Sequence, residues 1–81
     1  MILLYGNKGL DVMALQLLLK HFGYNLKADG IFGRLTENAV EDFQIVHMID
    51  IDGIIGPQTI REFWIEDKLL SETTLRERVH Q

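Results

Sequence analysis

Eighty-one residues make one domain, and a 47% hydrophobic composition allows a core without covalent staples. A net charge of −4 with eight scattered Lys and Arg excludes the one-sided cationic face that nucleic acid requires, and the absence of cysteine excludes disulfides and thiolate metal sites. Met1 to Gly6 has neither the basic start nor the apolar length of a signal peptide, and no run approaches the roughly 20 apolar residues of a membrane span.

Tyr5-Gly6-Asn7-Lys8-Gly9 reads as a loop because of its glycines and Asn. A first helix is expected from Leu10 to Phe22, with Val12, Leu15, Leu19 and Phe22 at core-facing spacing and Leu17 and Leu18 widening the stripe. That makes it the most buried helix expected. Gly23 stands where a left-handed residue closes a helix.

Next comes a phrase that occurs twice. Asp29-Gly30-Ile31-Phe32-Gly33-Arg34-Leu35-Thr36 returns 23 positions later as Asp52-Gly53-Ile54-Ile55-Gly56-Pro57-Gln58-Thr59, with five of eight positions identical. Asp-Gly is turn chemistry: Asp accepts from nearby backbone N–H groups and Gly takes a positive φ cheaply. Each copy is followed by an apolar pattern at helical spacing, so one turn-plus-helix unit builds the core twice.

The second helix is expected from Arg34 to His47, behind Gly33 as N-cap, burying Leu35, Ala39, Val40, Phe43 and Val46. The third begins at Pro57, whose missing N–H costs nothing there. Ile60, Phe63 and Trp64 form its apolar face, with Trp64 at the core or its edge, and Ile65, Leu69 and Leu70 extend it. Ser71 is a candidate N-cap for a short extra helix through Val79. The fold class expected is all-α: a compact three-helix bundle with two repeated Asp-Gly turn-plus-helix units. Residues 1–66 form the domain and 67–81 a polar extension or linker.

Gly6-x-x-Gly9-x-x-Val12-x-x-Leu15-Gln16-x-x-Leu19-x-x-x-Gly23-Tyr24 resembles the opening of the peptidoglycan-binding-like domain. Asp29-Gly30-Ile31-Phe32-Gly33-x-x-Thr36-x-x-Ala39-Val40-x-x-Phe43-Gln44 continues the resemblance, and Asp52-Gly53-Ile54-Ile55-Gly56-Pro57-x-Thr59 closes it. The resemblance implies a non-catalytic three-helix module of bacterial or phage cell-wall hydrolases. Its partners would be the glycan or stem peptide of peptidoglycan and a covalently linked or partner catalytic domain. A monomer acting at the bacterial wall or periplasm is expected, by a synthesis route the chain leaves open. The family's usual Asn-Gly after the second helix is replaced by His47-Met48, so that helix is expected to end without a left-handed residue. The other reading kept open is a protein-interaction or structural module on the same three-helix body.

Catalysis has little to work with. Ser71 lacks a glycine elbow, no carboxylate pair stands on an apolar surface, and so small a body has little wall for a water-excluding pocket. His21, His47 and His80 lack ligand spacing, and a calcium loop begun at Asp50 has Ile55 where Gly is needed and Arg61 where Glu is needed. No cofactor and no metal is expected. Asp29, Gly30, Gly33 and Thr36, with Asp52, Gly53, Gly56 and Thr59, are read as structural turn and cap residues. The ligand-binding candidates are Tyr5, Tyr24, Arg34, Asn38, Gln58 and Arg61, side chains the core does not use. Gln16 and Gln44 are read as ties between a helix and a loop.

Overall fold

In the computed structural model, three helices follow one another: α1 (Leu10–His21), α2 (Arg34–Val46) and α3 (Pro57–Val79). The structure describes the backbone of residues 2–79 and the side chains of residues 2–68. Each start and each of the first two ends lies within one residue of the sequence expectation, because glycine and proline punctuate the boundaries. The third helix differs. It runs through Ser71 to Val79 without a break, so no separate terminal helix begins there. The expected burial of Leu69 and Leu70 lies outside the described side chains, and His80 lies outside the described residues.

The first two helices end alike. After α1, the Gly23 N–H donates to the Lys20 carbonyl and the Tyr24 N–H to the Leu19 carbonyl, with Gly23 at φ 103°. After α2, the Met48 N–H donates to Ile45 and the Ile49 N–H to Gln44, with Met48 at φ 57°. Both are Schellman closures, which satisfy carbonyls that the last turn leaves orphaned. The sequence expectation of a different ending after His47 is therefore overturned. Met48 takes the left-handed conformation despite its Cβ, which costs about 1–2 kcal/mol.

Phe43 is the hub of the core. Its ring lies 4.5 Å from that of Phe63 and 5.7 Å from that of Phe22, centroid to centroid, while Val12, Leu19 and Val40 are fully buried around it. The expected stripes need four corrections: Leu17, Leu35, Val46 and Ile65 are 56%, 70%, 66% and 42% exposed, Ile65 being turned about 160° around α3 from buried Phe63. At 100° per residue, Leu17 falls on the far side of α1, and Leu35 and Val46 sit roughly 90–110° from the middle of the buried face of α2. Their places are taken by Gln16, Thr36 and Gln44, all buried. The helix that buries more positions is α2, not α1.

The N-terminal segment laces the two turns together. Leu3 and Ile55 exchange two backbone hydrogen bonds (3.0 and 2.7 Å). Gly6 N–H donates to the Phe32 carbonyl and Phe32 N–H to the Asn7 carbonyl, each at 2.9 Å. These are isolated pairings, not strands. Phe32 and Ile55 occupy equivalent places in the repeat, and both are buried.

Candidate functional site

The duplicated turns have their polar groups directed inward. Gln16 on α1 shares its amide hydrogens among Asp29 Oδ1 (3.1 Å), the Ile31 carbonyl (2.9 Å) and Thr36 Oγ1 (3.1 Å), and accepts from the Gly30 N–H at 2.8 Å. Gln44 on α2 repeats this on Asp52 Oδ1 (2.9 Å), the Ile54 carbonyl (3.1 Å) and Thr59 Oγ1 (3.1 Å). It accepts from the N–H groups of Asp52 (3.1 Å) and Gly53 (3.0 Å). Each aspartate also accepts from the backbone two residues on, Ile31 at 3.0 Å and Ile54 at 2.9 Å. A carboxamide suits this place because it carries donors and acceptors at once, and buried turn backbone requires both. Among the described residues, no buried side-chain nitrogen or oxygen lacks a partner.

The buried part of the turn network is therefore satisfied internally, while Asp29 and Asp52 remain exposed at its edge. The ties through Gln16 and Gln44 match the sequence reading. Thr36 and Thr59 differ in detail: they receive the glutamine amides instead of capping a helix, and no side chain caps the start of α2. The hydrogen bonds from Ile31 and Gln16 hold the Asp29 carboxyl below the usual carboxylate range.

The six nominated ligand-binding side chains are not gathered in one place. Tyr5 and Arg34 do meet: the guanidinium lies 4.3 Å from the ring centroid and donates to Glu37 Oε1 at 2.7 Å. Arg34 also borders a shallow hollow beside the first turn, with Asn25, Lys27 and Asp29. Tyr24 is half-buried against the core, and its hydroxyl donates to Asp42 Oδ2 at 2.9 Å. Burial and then the neighbouring Asp42 push that phenol up to about 12. Gln58 accepts from the Asp50 N–H at 3.3 Å and is exposed near the start of α3. Asn38 and Arg61 are exposed on α2 and α3.

A second concavity, similar in volume to the hollow beside the first turn, lies elsewhere. A groove of about 520 Å³ runs between α1 and α3, with Leu15, Leu18, Ile60 and Phe63 among its apolar lining and Trp64 beside them. Asp11 and Asp67 are the acidic residues that line it. Trp64, expected at the core or its edge, is 71% exposed here. Sequence reasoning missed this groove because Leu10, Ala14 and Leu18 resemble ordinary core residues. The available signal was surplus: Leu10, Leu15, Leu17, Leu18 and Leu19 are more leucines than one stripe of a 12-residue helix can bury.

Among the described residues, His21 and His47 each lie beside carboxylates. His21 Nε2 lies 3.6 Å from Asp67 Oδ1. His47 stacks on Phe43 at 4.0 Å, with its nitrogens 4.0 Å from Glu62 and 3.5 Å from Glu66. Among the described residues, no three His, Cys, Asp or Glu side chains are grouped to hold a metal. No helix among the described residues is long and apolar enough to cross a membrane.

Residues 8–62 match the family described as "Putative peptidoglycan binding domain". The chain is similar to a spore cortex-lytic enzyme of Halalkalibacterium halodurans, 42% identical over 55 residues, or 67% of this chain and 17% of that protein. It is similar to the N-acetylmuramoyl-L-alanine amidase CwlM of Mycobacterium tuberculosis, 40% identical over 62 residues, or 75% of this chain and 14% of that one. The chain thus spans less than a fifth of either relative's length. Among solved structures, the SleB N-terminal domain superposes with a TM-score of 0.77 at 34% identity, over 82% of this chain and 92% of that one.

Proposed function

The chain belongs to the peptidoglycan-binding domain family, and we propose that it is a non-catalytic module that holds a cell-wall hydrolase to its polymer substrate. The observation that carries this reading is the open groove between α1 and α3, apolar along its lining and bordered by an exposed indole. A concave apolar surface with a few polar groups at its edge is the usual form of a binding site.

The fully buried polar groups are in keeping with a binding role. The buried polar side chains among the described residues are Gln16, Thr36, Gln44 and Thr59, none of which titrates. General acid–base catalysis at neutral pH uses a titratable group tuned by burial or a close charge. The raised pKa of Tyr24 moves it away from that range.

In this proposal residues 1–66, with Asp67 still lining the groove, are the binding body, and the remainder of 67–81 connects it to a linked or partner catalytic domain. The module acts as a monomer at the bacterial wall or in the periplasm. Tyr5 and Arg34, the pair that the fold brings together, form an accessory polar contact for stem carboxylates through the forked guanidinium. Tyr24, Asn38, Gln58 and Arg61 are further accessory contacts at separate points. Retention of the purified chain on insoluble peptidoglycan sacculi, above that of an unrelated acidic protein of similar size, is the expected result. No retention above that control overturns the reading.

A further inference from the structure

The lining of the α1–α3 groove narrows what can occupy it. Its apolar side is built by Ala14, Leu15, Leu18 and Phe63, and among the described residues its polar side chains other than the Trp64 indole are two carboxylates, Asp11 and Asp67. A glycan strand presents hydroxyls and acetamides, so a site for it needs donors and acceptors along its length. Ionised carboxylates only accept. The groove is therefore short of donors for sugar, and suited to a segment that combines alkyl surface with positive charge.

Resting on the wall-binding reading above, we propose that this groove takes the peptide stem of peptidoglycan, with the ammonium of its diamino acid held at Asp67 and the alkyl chain of that residue laid on Trp64. Trp64 and Asp67 are three apart on α3, neighbours on the helix surface with Cβ atoms roughly 5–6 Å apart. The indole is open to solvent, so its face is free to attract a cation, and the adjacent carboxylate completes a charge-assisted hydrogen bond. His21 meets one Asp67 oxygen at 3.6 Å from the α1 side.

Asp67 faces His21, ten residues after Asp11 on α1, which places the two carboxylates about 15 Å apart along the helix axis. With the diamino acid, third of the five stem residues, at Asp67, the two residues on one side of it reach roughly 7 Å along the groove toward Asp11. The alanine methyls of the stem then lie against Leu15, Leu18 and Phe63, and small Ala14 leaves room for the backbone.

Trp64 is the single tryptophan and reports on its own site. Titration with the soluble peptide L-Ala-γ-D-Glu-L-Lys-D-Ala-D-Ala is expected to shift its emission saturably. The ε-N-acetylated peptide, and the Asp67→Asn protein with the native peptide, are each expected to bind at least about tenfold more weakly, with the melting temperature of the variant unchanged. Unaltered emission, or equal binding by the acetylated peptide or by the variant, overturns the proposal. Sacculi stripped of stems by an amidase separate this proposal from the wall-binding reading. Retention on intact but not stripped sacculi is expected. Equal retention on both removes the stem and leaves wall binding standing, and retention on neither removes both.

Discussion

The turn at Asp29–Gly33 and the turn at Asp52–Gly56 make the same joint on different supports. In each, a glutamine from the preceding helix grips the turn and reaches a threonine on the following helix: Gln16 to Thr36, then Gln44 to Thr59. Duplication has therefore copied a way of fastening one helix to the next. The supports differ where the N-terminal segment passes. Gly30 lies against backbone, a Cβ there meeting the Gly9 carbonyl oxygen at 3.2 Å, whereas a Cβ on Gly53 meets the Glu37 side chain at 3.2 Å. Gln44 accepts from two backbone N–H groups and Gln16 from one. The first joint has three backbone bonds from the N-terminal segment and four from its glutamine, the second two and five, so the second leans more on its own glutamine.

That contrast is most severely tested by removing each glutamine. Gln44→Leu strands buried turn N–H groups and is expected to cost about 3 kcal/mol, roughly 15 °C in melting temperature for a chain this size. Gln16→Leu is expected to cost less by about 1 kcal/mol, since one fewer N–H loses its acceptor. Urea unfolding followed by circular dichroism measures both, and equal costs would erase the distinction between the joints.

The glycines test the other half of the contrast, with the opposite ranking. Both have positive φ (78° and 69°), so alanine is strained at either. Gly53→Ala is expected to cost about 1–2 kcal/mol, because the Glu37 methylene can move aside. Gly30→Ala is expected to cost about 1 kcal/mol more, since a backbone carbonyl has to shift. Differential scanning calorimetry of the two variants decides the order.

The helix ends extend the comparison. Gly23 and Met48 close α1 and α2 in the same Schellman geometry, yet only one of them is suited to it. Met48→Gly is expected to raise stability by about 1 kcal/mol, and Gly23→Ala to lower it by about 1 kcal/mol. Met48 is 92% exposed, so the gain is not offset by lost packing. A Met48→Gly variant that melts lower than the parent would contradict the assigned conformation.

The smallest effect expected is a titration. The Asp29 carboxyl has a folded-state pKa below its unfolded value, from the Ile31 and Gln16 hydrogen bonds. Its contribution to stability is present above about pH 4, the unfolded value, and is lost as pH falls through the lower folded value. Asp29→Asn keeps the accepting oxygen but removes the titration. Its melting temperature should fall less steeply than the parent's below pH 4. An unchanged acid slope would mean that Asp29 is not the group responsible.

Much of this was readable residue by residue. Gly23, Gly33 and Pro57 placed the helix limits to within a residue, and Asp-Gly announced both turns, because caps and turns are decided by a few adjacent side chains. The side-chain facing was read less well. Leu17, Leu35 and Val46 were assigned inward on hydrophobicity alone, while the polar Gln16 and Gln44 hold central positions. A glutamine counts as polar in any periodic pattern. Its burial becomes favourable only once a turn from a distant part of the chain supplies all its partners.

The candidate site shows the same division. Tyr5 and Arg34 were both nominated, but their contact across 29 positions follows from the path of the N-terminal segment past the first turn. Trp64 was read toward the core and stands at the edge of a groove. By itself, the sequence determined three helices, two like turns and the family, all properties carried by short-range spacing. Only the tertiary structure decided that α1 and α3 stay apart enough to leave an apolar channel with a carboxylate toward each end. A groove is the space between two helices, and the pattern along one helix cannot specify it.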